Sequence, residues 1–115
     1  MVERESPTLD RVFHALSDPS RRAMLRQLSA GPRTVGELAD PLPMSLAAAS
    51  KHIKVLEQSG LLQKQVQWRT HICTLNPAPL VAARTWIDEY KSFWDERFDA
   101  LTSWFENQGK DDKTK

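Results

Sequence analysis

A single cysteine, Cys73, leaves the chain unable to close an internal disulfide or to build a cysteine-rich metal cage. No apolar run approaches the roughly 20 residues that span a bilayer, and the opening MVERESPTLDR lacks the apolar stretch of a signal peptide. A cytoplasmic protein with no membrane partner is expected. The four glycines form no phosphate-cradling loop, and neither a nucleophile elbow nor a metal cluster is present. The expectation is a protein that is not an enzyme, with no catalytic residues, no metal and no cofactor. Internal repeats are also absent, and 115 residues suffice for one compact domain and not for two.

An excess of one charge is lacking as well, since the formal net charge is +1. That average hides a division along the chain. Residues 20–71 carry Arg21, Arg22, Arg26, Arg33, Lys51, Lys54, Lys64 and Arg69 against Glu37, Asp40 and Glu57, a net +5. Residues 80–115 carry six basic and eight acidic side chains, a net −2. A polyanion would meet the chain at its basic middle.

The apolar spacing supplies the elements. Leu9, Val12, Phe13 and Leu16 recur at helical intervals and predict a first helix from about residue 8 to 16. Ser17-Asp18-Pro19 offers an N-cap with proline just inside a second helix, which buries Met24, Leu25 and Leu28 and stops at Gly31-Pro32. Thr34 and Glu37 have the spacing of a capping box and start a third, short helix that Pro41 and Pro43 end. Ser45 caps a fourth helix, closed by Gly60. Two helices joined by a tight turn, the second longer, form a helix-turn-helix pattern. The period then changes, and LLQKQVQ and THICTL read as two strands joined at Trp68-Arg69. The fold class is mainly α with a small β-hairpin, a winged helix-turn-helix in the order α-α-α-α-β-β-α.

Asn76-Pro77-Ala78-Pro79 breaks the chain before its longest element. From Leu80 to about Gln108 no glycine or proline intervenes, and Leu80, Ile87, Trp94 and Leu101 recur every seven residues. Such a helix would be about 43 Å long, against a radius of gyration of about 13 Å for a domain of this size, so it must overhang its own domain. Its apolar stripe is widened by Trp86, Phe93, Phe98 and Phe105, and a second copy of the chain is the simplest cover. The expected organisation is a flexible N-terminus over 1–7, a winged helix-turn-helix domain over 8–79, a dimerisation helix over 80–108 and a disordered tail over 109–115.

Within the fourth helix, Leu46, Ala49, Ile53 and Leu56 fall on one side and are expected in the core. The opposite side holds Ala47, Ala48, Lys51, Lys54, Val55 and Gln58, with Ser50 and His52 on the flanks. Lysine at the centre of the outer face and alanines that permit close approach suit a DNA major groove. Ser45 sits at the helix N-terminus, where free N–H groups face a phosphate. Lys51 and Ser50 would reach bases or phosphates. His52 is either a packed, hydrogen-bonded residue or a phosphate donor. At the hairpin tip Arg69, with Thr70 beside it, would reach a minor groove or neighbouring phosphates, and Trp68 would brace the loop.

The stretches ALSDPSRRAMLRQLSAGPRTVGELA and MSLAAASKHIKVLEQSGLL, the short wing, and LNPAPL leading into an aromatic helix resemble the ArsR family of prokaryotic winged-helix repressors over about residues 8–106. The resemblance implies a homodimeric transcriptional repressor, commonly of its own operon, bound to a palindromic operator and released by an inducer. It implies a dimer joined through the first and last helices, here Leu9, Phe13, Ile87, Tyr90, Trp94, Phe98, Leu101, Trp104 and Phe105. Two departures matter. The cysteine pair on the third helix and the Asp and His ligands on the last helix that mark the metal-sensing members are missing, so the expected signal is not a metal. Many members also place glutamine after the capping serine, where this chain has Leu46. Two alternatives stand beside this reading: a winged-helix module that binds protein, and a repressor in which Cys73, otherwise a buried structural thiol, acts as a redox switch.

Overall fold

The computed structural model describes residues 7–113, with side chains from residue 8 to 108. The elements are α1 (Pro7–Leu16), α2 (Pro19–Ser29), β1 (Arg33–Thr34), α3 (Val35–Ala39), α4 (Leu46–Gln58), β2 (Leu62–Gln67), β3 (Thr70–Leu75) and α5 (Ala78–Lys113). One strand was not expected. Arg33 and Thr34 pair antiparallel with Cys73 and Ile72, adding β1 to the hairpin as an edge strand, in the order β1-β3-β2. Two residues, one of them already the cap of α3, carry no strand periodicity, which is why the sequence pattern misses them.

Helix ends follow the local chemistry. Asp18 caps α2 by accepting from the backbone N–H of Ser20 at 2.8 Å and Arg21 at 3.2 Å, with Pro19 as the first helical residue. Burial works against this carboxylate, but the two N–H bonds win and hold its pKa below the ordinary aspartate value. At α3 the capping box is complete: Thr34 Oγ1 accepts from Glu37 N–H at 3.1 Å and Thr34 N–H donates to Glu37 Oε1 at 2.8 Å. Gly60, at φ +85°, ends α4, with its N–H bonded to the Glu57 carbonyl and that of Leu61 to the Leu56 carbonyl.

The described residues up to Ala83 form one compact unit and those from Arg84 form a second. In the first, Val12, Met24, Leu38, Ile53, Leu56, Leu61, Leu62 and Cys73 are fully buried, so every element of this unit contributes to one core except the two-residue β1. Ala83 is buried with them and Leu80 packs on the same cluster, which puts the unit's edge four residues beyond the boundary expected at residue 79. In the second unit every described side chain from Arg84 to Gln108 is exposed. The flexible N-terminus expected over 1–7 lies outside the described residues, apart from Pro7 in α1. The tail expected to be disordered over 109–115 is helical as far as Lys113, the remainder lying outside the described residues. Gly109 costs a helix only about 1 kcal/mol, and no proline follows to stop it.

Candidate nucleic-acid interface

The recognition candidate is α4. Its N-cap Ser45 accepts from Ala48 N–H at 3.1 Å, fixing the first turn and leaving the preceding N–H groups free to face an anion. Ala49, Ile53 and Leu56 are buried, and the helix is therefore held by one stripe. Ala47, Ser50, Lys51, Lys54 and Gln58 are exposed, Ala48 is half-buried, and Lys51 and Lys54 form no ion pair among the described residues.

Two expectations for this helix need correction. Leu46 is 59% exposed, not in the core. It is the first helical residue, and Cβ atoms tilt toward a helix N-terminus, so its side chain projects past the end of the buried stripe. Val55, expected on the outer face, is half-buried and packs against the core.

His52 is tied down by a residue that the pattern had counted only as charge. Arg21 on α2 is 7% exposed. Its Nε donates to the Ala15 carbonyl at 2.8 Å, its Nη2 to the His14 carbonyl at 3.0 Å, and its Nη1 lies 3.0 Å from His52 Nδ1. A guanidinium only donates, so Nδ1 accepts and the imidazole proton sits on Nε2. The signal was present in the sequence: Arg21 precedes Met24, Leu25 and Leu28 by three, four and seven positions, which is the spacing of the buried stripe.

The wing lies in the same unit. Strands β2 and β3 pair from Leu62↔Leu75 to Gln67↔Thr70, and Trp68-Arg69 is the two-residue turn between them. Lys64 on β2 approaches Glu57 on α4 at 4.0 Å. Everything from Gln63 to His71 is exposed, Arg69 and Thr70 included, and Arg69 has no ion-pair partner among the described residues. The expected bracing role of Trp68 fails, because its side chain is 96% exposed and is not packed on the loop. Cys73, by contrast, is fully buried. Burial pushes its thiol pKa up, Glu57 adds to the rise and Lys64 opposes it, which disfavours the thiolate that redox chemistry requires.

Among the described residues no three His, Cys, Asp or Glu side chains converge on a point that could hold a metal. His14, His52 and Cys73 lie on α1, α4 and β3. No helix of the described residues is long and apolar enough to cross a membrane.

A helix-turn-helix domain profile matches residues 16–65, from the end of α1 into β2. Over 102 residues the chain is 36% identical to the HTH-type transcriptional regulator Rv2034 of Mycobacterium tuberculosis, covering 89% of this chain and 92% of that protein. An ArsR family transcriptional regulator of known crystal structure superposes with a TM-score of 0.73 at 42% identity, over 76% of this chain and 91% of that one. The chain belongs to the ArsR family. As an ArsR family member it is a transcriptional regulator whose helix-turn-helix domain binds DNA. The ArsR-like regulator from Rhodococcus sp. RHA1 superposes at a TM-score of 0.68 with 30% identity, over 82% and 89% of the two chains. The transcriptional repressor SdpR of Bacillus subtilis is 29% identical over 79 residues, 69% of this chain and 88% of that protein.

Proposed function

We propose that the protein is a cytoplasmic, homodimeric repressor, without enzymatic activity, that binds a palindromic operator upstream of its own gene and leaves it on a signal other than a metal ion. The observation that carries this reading is the outer face of α4: Lys51 and Lys54 stand exposed beside small residues and without an ion pair among the described residues, with no acidic side chain between Ser45 and Val55. A helix left this bare is suited to a groove about 12 Å wide. Lys51 and Ser50 meet base edges or phosphates, and Ala47 and Ala48 allow the close approach. Lys54 and the Ser45 end take phosphates. His52 contributes its Nε2–H to a phosphate, with Arg21 holding the ring. Leu46, exposed where a recognition helix presents its first residues to bases, replaces an amide by an apolar side chain suited to a thymine methyl. Arg69 and Thr70 on the wing engage the flanking backbone.

Dimerisation supplies the symmetry. Ile87, Tyr90, Trp94, Phe98, Leu101, Trp104 and Phe105 are between 38% and 59% exposed on α5, far more apolar surface than an isolated helix would leave in water. A second copy covers them; Leu9 and Phe13 of α1, expected in the same interface, are half-buried against the core of the first unit. Two Ser45–Ser59 segments then enter successive major grooves.

Mobility shifts on the DNA upstream of the gene test the reading. Lys51→Glu and Arg69→Glu each abolish specific binding while the dimer persists. Shifts identical to those of the unaltered protein would refute it.

A further inference from the structure

The tip of the wing holds a side chain that the fold does not use. Trp68 occupies the first position of a two-residue hairpin turn with φ +61°, the left-handed region in which glycine, asparagine or aspartate sits at least cost. It is 96% exposed, and it has no aromatic or cation–π partner among the described residues. The largest side chain is thus placed where the backbone resists it and where packing returns nothing. Its immediate setting is also distinctive. Val66, two residues earlier, is 61% exposed, and residues 62–75 contain Lys64 and Arg69 and no acidic residue. An apolar point flanked by cations, on an arm with no negative charge, is complementary to a polyanion that carries stacked apolar surfaces between its charges.

The arm also has the reach. Leu62 is buried and Gln67 is exposed at the far end of β2, and five steps of about 3.4 Å set them roughly 17 Å apart. With α4 in a major groove about 12 Å wide, a ribbon of that length is long enough to span the adjacent phosphate ridge. Side chains that enter there as wedges part a base step, and flexible steps yield most readily.

We propose that Trp68 is an intercalating wedge: its indole enters the minor groove beside each half-site and partly unstacks one base step, while Arg69 holds the flanking phosphate. This rests on the DNA-binding reading above and adds to it a residue that selects deformable steps through shape. The indole supplies affinity that does not depend on counterion release, whereas Arg69 supplies affinity that does.

The experiment compares the unaltered protein with Trp68→Asn, Trp68→Phe and Arg69→Ala on a duplex carrying the DNA upstream of the gene, with 2-aminopurine at the step facing the wing. Trp68→Asn, whose side chain accepts the turn geometry, melts no lower than the unaltered protein. It binds about tenfold more weakly with an unchanged salt slope, and Trp68→Phe recovers most of the loss. Arg69→Ala weakens binding and lowers the salt slope by about 1. The 2-aminopurine fluorescence rises with the unaltered protein and not with Trp68→Asn. Equal affinities for the unaltered protein and Trp68→Asn, a silent probe, or a Trp68→Asn melting point several degrees lower would each overturn the wedge while operator binding stands. Absence of binding by the unaltered protein would instead overturn the DNA reading beneath it.

Discussion

Arg21 Nη1 lies 3.0 Å from His52 Nδ1, joining the buried cation of α2 to the flank of α4. The same guanidinium takes two carbonyls at the end of α1, so one side chain links three helices around the recognition element. Removing it leaves the Ala15 and His14 carbonyls without their donor. Arg21→Met is expected to destabilise the fold by about 3 kcal/mol, whereas His52→Ala, which leaves both carbonyl bonds in place, costs about 1 kcal/mol. Urea unfolding followed by circular dichroism checks the order, and equal losses would show that the carbonyl bonds carry no weight.

The cap of α2 makes stability depend on acid. Because folding lowers the pKa of Asp18, its contribution is complete above the unfolded value of about 3.9 and fades as pH falls through the lower folded value. Asp18→Ala is expected to cost about 1 kcal/mol at pH 7, and the gap between it and the unaltered protein should narrow at pH 3. Thermal melts at the two pH values measure this. A gap that is constant or wider at pH 3 contradicts the assignment.

On α5, Trp94 sits among Tyr90, Phe93 and Phe98, with ring centroids 5.9, 5.5 and 5.8 Å away. Its truncation removes the centre of this apolar cluster. Trp94→Ala is expected to shift the proposed dimer toward monomer at micromolar concentration in sedimentation velocity, while far-ultraviolet circular dichroism stays the same. An undisturbed dimer would move the interface elsewhere.

Where the sequence was legible, two periodicities or a cap agreed. Thr34 with Glu37 and Asp18 with Pro19 mark the starts of α3 and α2, Ser45 and Gly60 the two ends of α4, and all are found at their places. The winged helix-turn-helix follows from these marks and from the change of period after Gly60. Leu46 was misplaced because helical periodicity treats the first turn like the middle, although the core does not extend beneath it. Trp68 departs from its expected role because an aromatic at a turn suggests packing, and only its exposure shows that the described residues do not cover it. The strand at Arg33–Thr34 exists because β3 offers an open edge, a tertiary fact that two residues cannot announce.

In the proposed complex α4, doubled by symmetry, reads DNA. Hydroxyl-radical protection mapping on the DNA upstream of the gene tests it most directly. Two related half-sites are expected, with centres one helical turn, about 34–36 Å, apart or at a multiple of that spacing, with protection in the flanking minor grooves where the wings reach and all of it lost in Lys51→Glu. A single unsymmetrical footprint, or a footprint that survives Lys51→Glu unchanged, would contradict it.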